Sequence, residues 1–346
     1  MNINKTQVHD YLDSLLGIGS AVSTTVLKTQ QKIDEFIFSR LTSKKFRKTK
    51  LDENCAVRTK RAIVTKLEQG LSLKVVYPQG GYKLWRLPSS PTVDWAEFFN
   101  ISYLIEYLLP IAHNYQPGVE LVYYMHTLLM EKHDNLSTTE IDQYVSSFQQ
   151  LLDRFSAYLP KNFSITILKD ADIYSRDDYF SKLEEGKAKA KIEYLDWPKD
   201  KKDRYERMAN LNIKWQGNED WSVLSAKNKQ EKIQEAAYYE ASAVSNLQKV
   251  MEKVKSPDNI LVFTISTPDF IGIGSTRTSV AKYWVGYGVL EKNKGKLQPR
   301  VLSPSQYQQM LLLPQESYEI DLIEGKNFKE IVVLDESFSL INSKKV

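Results

Sequence analysis

Cysteine is nearly absent. Cys55 is the only one in the 346 residues, which excludes an internal disulfide and any metal site built from several thiolates. It lies in a charged stretch with no histidine nearby in sequence, which makes it a poor candidate for a catalytic nucleophile. Long apolar runs are missing too, and none approaches the ~20 residues of a bilayer-spanning helix. The nearest, Trp95 to Ile111, is interrupted by Glu97, Asn100 and Glu106 and reads as a buried core helix. Neither sign of charge dominates: 47 Lys and Arg against 43 Asp and Glu leave a formal charge of +4, so a nucleic-acid role needs a local patch. The first residues include Lys5 but no compact apolar segment with a small-residue cleavage site, so a cytoplasmic location is expected.

The familiar ligand motifs are also missing. Gly272-Ile273-Gly274-Ser275-Thr276-Arg277 carries arginine where a dinucleotide fingerprint needs its third glycine, and no Gly-Lys-Ser/Thr sequence exists to form a Walker loop. NAD and ATP are therefore not supported, and without a Gly-x-Ser-x-Gly elbow neither is a hydrolase triad. His113, His126 and His133 fall on different expected elements and lack the i, i+4 spacing of a helical metal pair, so no metal and no cofactor are expected. No fixed-period repeat or low-complexity tract is visible.

What is present is a soluble globular composition, 42% hydrophobic and 26% charged, with strand-like and helix-like runs in alternation. Leu71 to Tyr77 reads as a strand closed by Pro78 and Gly80-Gly81. A helix follows, with Thr92 as a candidate cap, Asp94 and Glu97 in the first turn, and Pro110 and Pro117-Gly118 bringing it to a close. Val119 to His126 reads as a second strand. Ser137-Thr138-Thr139-Glu140 is a capping box for a helix with its inner stripe at Ile141, Tyr144, Phe148, Leu151, Leu152 and Phe155, and Phe163 to Leu168 is a third strand. This βαβαβ order predicts parallel strands whose carboxyl ends share one ligand-binding edge. Arg58 to Gln69 reads as a helix stopped by Gly70, Ser222 to Lys255 as a long helix, and Ile260–Ser266, Ala281–Leu290 and Ile331–Leu334 as further strands. The expected fold is Rossmann-like α/β: a mostly parallel sheet flanked by helices, with antiparallel C-terminal additions. The expected organisation is an N-terminal helical segment over 1–57 and an α/β domain over 58–346, with a charged, exposed helical insertion around 171–221.

Cations and carboxylates gather where these strands end. Lys83 and Arg86 follow the first strand, where the paired glycines let backbone approach a ligand while lysine and arginine recognise phosphate or carboxylate; a plain surface turn is the other reading. His126 ends the second strand, and Asp170 and Asp172 follow the third. Asp94 and Glu97 are either site carboxylates or stabilisers of a helix N-terminus. The loop from Gly272 to Ser279, with Gly274, Arg277 and Ser279 and with Lys282 just beyond, is an anion-binding loop or a simple connection. The basic stretch Arg40 to Lys50 is a solvated face or a phosphate contact.

Four features occur in order: Arg58-Thr59-Lys60-Arg61 before a helix; a strand ending in Pro78 with Lys83 shortly after; Val93-Asp94-Trp95-Ala96-Glu97 opening the next helix; and Tyr115-Gln116-Pro117-Gly118-Val119 before the second strand. In these the chain resembles the isocyanide (isonitrile) synthase family that includes the pyoverdine/dityrosine biosynthesis proteins. Met125-His126-Thr127 stands where that family tends to have Ser-Asp-Gly, and Tyr283-Trp284-Val285-Gly286 only loosely matches its late Trp-His segment. The resemblance implies a Rossmann-like fold and an enzyme that joins the amino group of an amino acid to a carbon from ribulose 5-phosphate without a metal or redox cofactor. In that setting Lys83, Asp94, Glu97 and His126 are the catalytic candidates. Arg86, Asp170, Gly274, Arg277, Ser279 and Lys282 are the substrate-binding candidates. Small-molecule substrates are the expected partners, with no membrane and no nucleic acid. The alternatives are another α/β transferase acting on a phosphorylated small molecule, or a non-enzymatic nucleic-acid or protein-binding module.

Overall fold

The computed structural model describes residues 30–79, 92–216, 223–254, 256–263, 270–273, 286–293, 296–302, 304–323, 328–334 and 341. Helix α1 spans Gln30–Leu41 and α2 spans Glu53–Gln69. The side chain of Asp52 caps α2 by accepting from the backbone of Asn54 and Cys55, and Gly70, at φ 63°, ends it in the left-handed conformation that glycine adopts without strain. Arg58 to Arg61 therefore lie inside a helix rather than ahead of one.

The central sheet has five strands in the order β4-β3-β1-β5-β6, all parallel: Phe163–Lys169, Val119–Met125, Leu73–Gln79, Asn259–Phe263 and Ile271–Gly272. Strand β1 runs two residues past the expected end, through Pro78. Gln79 bonds toward β3, since its carbonyl accepts from His126 N, so alternation turns the missing Pro78 N–H toward β5. Pairing with β5 has already ended at Val76, and the proline breaks no ladder bond. The chain leaves β1 toward β3 on one side and leaves β5 toward β6 on the other, which puts the topological switch point between the carboxyl ends of β1 and β5.

Helices cover both faces. On one, α2, α3 (Trp95–Asn114) and α5 (Thr138–Ser156) pack on Leu73, Val75, Tyr77, Leu121 and Tyr123. On the other, α4 (Thr127–Lys132), α6 (Arg176–Glu193) and α8 (Ala226–Val254) pack on Val76, Val122, Tyr124 and Leu261. The alternation of side chains along each strand divides the two cores. The turn into β3 depends on Gly118, at φ 81°, where a Cβ would sit 1.7 Å from the Asn162 carbonyl oxygen.

Helix α3 departs from expectation at both ends. Its N-cap is Asp94, not Thr92, with Glu97 completing a capping box. It also runs through Pro110 to Asn114. A proline here removes the N–H that the Glu106 carbonyl would receive, and the guanidinium of Arg40 on α1 supplies a replacement, with Arg40 Nε donating to the Tyr107 carbonyl at 2.9 Å as well. The sequence offered no local sign of that donor.

Within the 171–221 region the described residues run to 216, and most of the positions with a described side chain are exposed, but a minority enter two cores. Tyr179 and Leu183 of α6 join the sheet core, and Ala190, Tyr194, Trp197, Tyr205 and Ala209 form a separate aromatic core with Ala237, Tyr238 and Ala241 of α8; Tyr205 and Ala209 belong to α7 (Lys199–Gln216). A second sheet, β2-β10-β7-β8, joins Val93–Asp94, Phe328–Leu334, Tyr287–Asn293 and Lys296–Leu302, with β9 (Tyr318–Ile323) antiparallel to β10 and β8 antiparallel to β7. A further helix, α9 (Pro304–Leu311), packs on this sheet through Tyr307 and Met310. Of the expected strand at Ala281–Leu290, positions 281–285 lie outside the described residues, and the strand seen at Tyr287–Asn293 runs three residues past the expected end. The short elements β2, β6 and α4, and also β8, β9 and α9, were not read from the sequence.

Candidate functional site at the carboxyl edge

Two buried polar clusters stand at the carboxyl edge of the central sheet, one on each face. The first begins at Gln79, the last residue of β1. Its Nε2 donates to Tyr144 Oη at 2.8 Å, and Tyr144 Oη donates to Glu97 Oε1 at 3.0 Å. The other oxygen of Glu97 accepts from the Asp94 backbone N–H at 2.8 Å. Asp94 Oδ1 in turn accepts from Ala96 N at 2.7 Å and from Gly288 N at 3.0 Å. Beside this chain Asn100 Nδ2 donates to Tyr77 Oη at 3.1 Å and Asn100 Oδ1 accepts from Tyr123 Oη at 2.9 Å. Gln79, Asp94, Glu97, Asn100 and all three tyrosines are fully buried or nearly so. Burial pushes the Tyr144 and Tyr123 hydroxyls well above the ordinary tyrosine range, and the nearby Glu97 adds to it, so both remain protonated donors.

The second cluster lies across the sheet. Asp170, fully buried just past β4, accepts from Thr127 Oγ1 at 2.7 Å and from Leu128 N at 2.9 Å, and so caps the start of α4 from a neighbouring strand. Burial lifts its carboxyl to about 6, against the lowering effect of those bonds. Asp170 Oδ2, Tyr124 Oη and Tyr179 Oη have no hydrogen-bond partner among the described residues. Both tyrosines are raised by burial first and by the charge of Asp170 second. His126 packs edge-on to Tyr124, with ring centroids 4.9 Å apart, and burial drives its pKa down to about 3, so the imidazole is neutral at physiological pH.

Of the residues singled out in the sequence, Asp94 and Glu97 therefore meet on one face, and His126 and Asp170 on the other. Asp94 and Glu97 make the contacts of a helix cap, the stabilising role left open above. Lys83, Arg86, Gly274, Arg277, Ser279 and Lys282 lie outside the described residues. Lys83 and Arg86 belong to the connection that leaves Gln79 and returns at Thr92. Sequence reasoning missed Gln79 and the tyrosines. Tyr144 was counted as core, and Asn100 as an interruption in an apolar helix; a polar residue closing an apolar strand was the available signal for Gln79. Among the described residues no three of His, Cys, Asp and Glu come together as metal ligands, and no helix is long and apolar enough to cross a membrane. The basic stretch is partly consumed by structure: Arg40 holds α3 carbonyls and stacks on Phe46, and Lys45 pairs with Glu106 at 2.5 Å.

A parallel sheet clothed by helices on both faces, with polar groups at its carboxyl edge, defines a Rossmann-like α/β protein. Among solved structures, the chain is similar to the PvcA protein from Pseudomonas aeruginosa, at a TM-score of 0.61 and 14% identity over 87% of this chain and 99% of that one. At that identity the likeness speaks for the fold. No family model matches the chain, and no curated protein does.

Proposed function

We propose that this protein is an enzyme similar to the isonitrile (isocyanide) synthases, joining the amino group of an amino acid to a carbon from ribulose 5-phosphate at the carboxyl edge of the central sheet. The observation that carries this reading is the buried Gln79–Tyr144–Glu97 chain. It places oriented polar groups at the end of β1, immediately before the connection that bears Lys83 and Arg86. A buried polar network of this kind is costly to maintain in a core, and the switch point of an α/β sheet is where such groups serve a ligand. The likeness of fold to PvcA and the ordered sequence features from Pro78 to Val119 support the same reading.

In this reading Lys83, Arg86, Arg277 and Lys282, with Gly274 and Ser279, hold the anionic groups of a ketose phosphate. Asp94 and Glu97 supply negative charge beneath the edge. Proton transfer during imine formation and carbon–carbon cleavage falls to Asp170, whose carboxyl is lifted to about 6, while His126, held neutral by burial, serves only as a hydrogen-bonding group. The test is incubation with each aromatic amino acid plus ribulose 5-phosphate, with mass detection of an isonitrile. Product that disappears in Lys83→Ala is the expected result; folded protein that yields none with any amino acid rejects the reading.

A further inference from the structure

Gln79 presents an acceptor that nothing among the described residues occupies. Its side chain is fully buried, its Nε2 is committed to Tyr144, and its Oε1 has no hydrogen-bond partner. The order of the bonds decides which end of the amide is left over. Each oxygen of Glu97 receives a donor, one from Asp94 N and one from Tyr144, as a carboxylate requires. Tyr144 has therefore spent its proton on Glu97, and its oxygen takes a donor from Gln79. Only the Nε2 end of the amide is a donor, so Oε1 is held away from the tyrosine.

An unsatisfied buried carbonyl is destabilising, and a ligand donor recovers that loss on binding. The kind of donor follows from charge. Each bond in the chain polarises the next, so the Glu97 carboxylate strengthens Gln79 Oε1 as an acceptor, and such an acceptor gains most from a charged donor. We propose that Gln79 is a specificity-determining residue whose Oε1 accepts a hydrogen bond from the protonated amino group of the amino-acid substrate. Tyr144 and Glu97 are positioning residues that keep the amide that way round. This inference rests on the function proposed above and deepens it.

The test is calorimetric binding of an aromatic amino acid and of its deamino analogue, the corresponding arylpropionic acid, which needs no turnover. Wild-type protein binds the amino acid about tenfold to a hundredfold more tightly than the analogue, the range of one hydrogen bond to a charged group. Gln79→Met, which keeps length without an acceptor, removes most of that preference and leaves the KM for ribulose 5-phosphate unchanged. Gln79→Glu, which keeps an acceptor, retains the preference and serves as the second variant should Gln79→Met fail to fold. Tyr144→Phe frees the amide to rotate and weakens the preference severalfold with the same sugar-phosphate KM. A folded Gln79→Met protein with wild-type preference overturns the inference while leaving the proposed enzyme standing, as does Gln79→Glu protein that has lost the preference. Wild-type protein that binds neither compound and makes no product overturns the function itself.

Discussion

The backbone N–H of Gly288 donates to Asp94 Oδ1 at 3.0 Å across 194 residues of chain, fastening the second sheet to the first turn of helix α3. The approach is so close that a Cβ on Gly288 would lie 1.9 Å from Ala96 N and 2.3 Å from the Trp95 carbonyl carbon. Asp94→Ala removes a helix cap and leaves a buried N–H unpaired, a loss of about 2–4 kcal/mol. Gly288→Ala should cost at least as much, because backbone rather than a flexible side chain must move, whereas Asp94→Asn keeps an acceptor and should cost less than half. Urea unfolding midpoints measure all three. A Gly288→Ala protein with the wild-type midpoint would contradict the contact.

Asp170 makes stability depend on pH in a defined direction. Its carboxyl is lifted from 3.8 to about 6, so the folded state favours the protonated form. The associated stability is present below about pH 4 and is lost as the pH rises through 6, a change of about 3 kcal/mol. Asp170→Asn keeps an acceptor for Thr127 and Leu128 and cannot ionise. Its stability relative to wild type should therefore rise by about that amount between pH 4 and pH 7. Denaturant midpoints at four pH values suffice, and a flat difference refutes the assignment.

Two histidines should titrate in opposite senses. Burial holds His126 at about 3, so its NMR ring signals should not move between pH 8 and pH 5. Burial also opposes charge on His133, but its contact with buried Glu240, Nε2 to Oε1 at 3.5 Å, and the charge of Asp134 outweigh it and raise the pKa above 6.5. The stabilisation from the His133–Glu240 pair is therefore complete below the ordinary histidine value and fades as the pH climbs through the raised one. Signals assigned by single His→Gln variants distinguish the two.

Arg40 and Pro110 should be coupled. Arg40→Met strands the Glu106 carbonyl that Pro110 leaves without a helical donor, a cost of about 1–3 kcal/mol. In a Pro110→Ala background the helix supplies its own N–H, and the same arginine substitution should cost about 1 kcal/mol less. Additive losses in a double-mutant cycle would mean that the guanidinium is not the replacement donor.

Local chemistry made a good part of this molecule legible in advance. Ser137 and Glu140 do form a capping box, with Glu140 N donating to Ser137 Oγ at 3.2 Å, because both partners lie within one turn. Gly70 ends α2 for a reason internal to its own backbone, and the order of apolar runs from Leu73 to Lys169 was enough to make β1, β3 and β4 parallel. Asp94 and Glu97 were visible as a pair three residues apart, though not which backbone donors they would receive.

The residues that define the carboxyl edge belong to a different scale. Gln79 and Tyr144 are 65 residues apart, Tyr144 and Glu97 are 47 apart, and Asp94 and Gly288 are 194 apart. Periodicity assigns a side chain to a core face, but only the stacking of α3 and α5 on β1 turns Tyr144 from packing into a link between an amide and a carboxylate. The same holds for the division of Asp94 and Glu97 from His126 and Asp170. A strand's alternation, read together with the helices on each side, sends groups that are near neighbours at one sheet edge to opposite faces. Hydrogen bonds within a turn are settled by chain geometry; those across a core depend on how its layers pack.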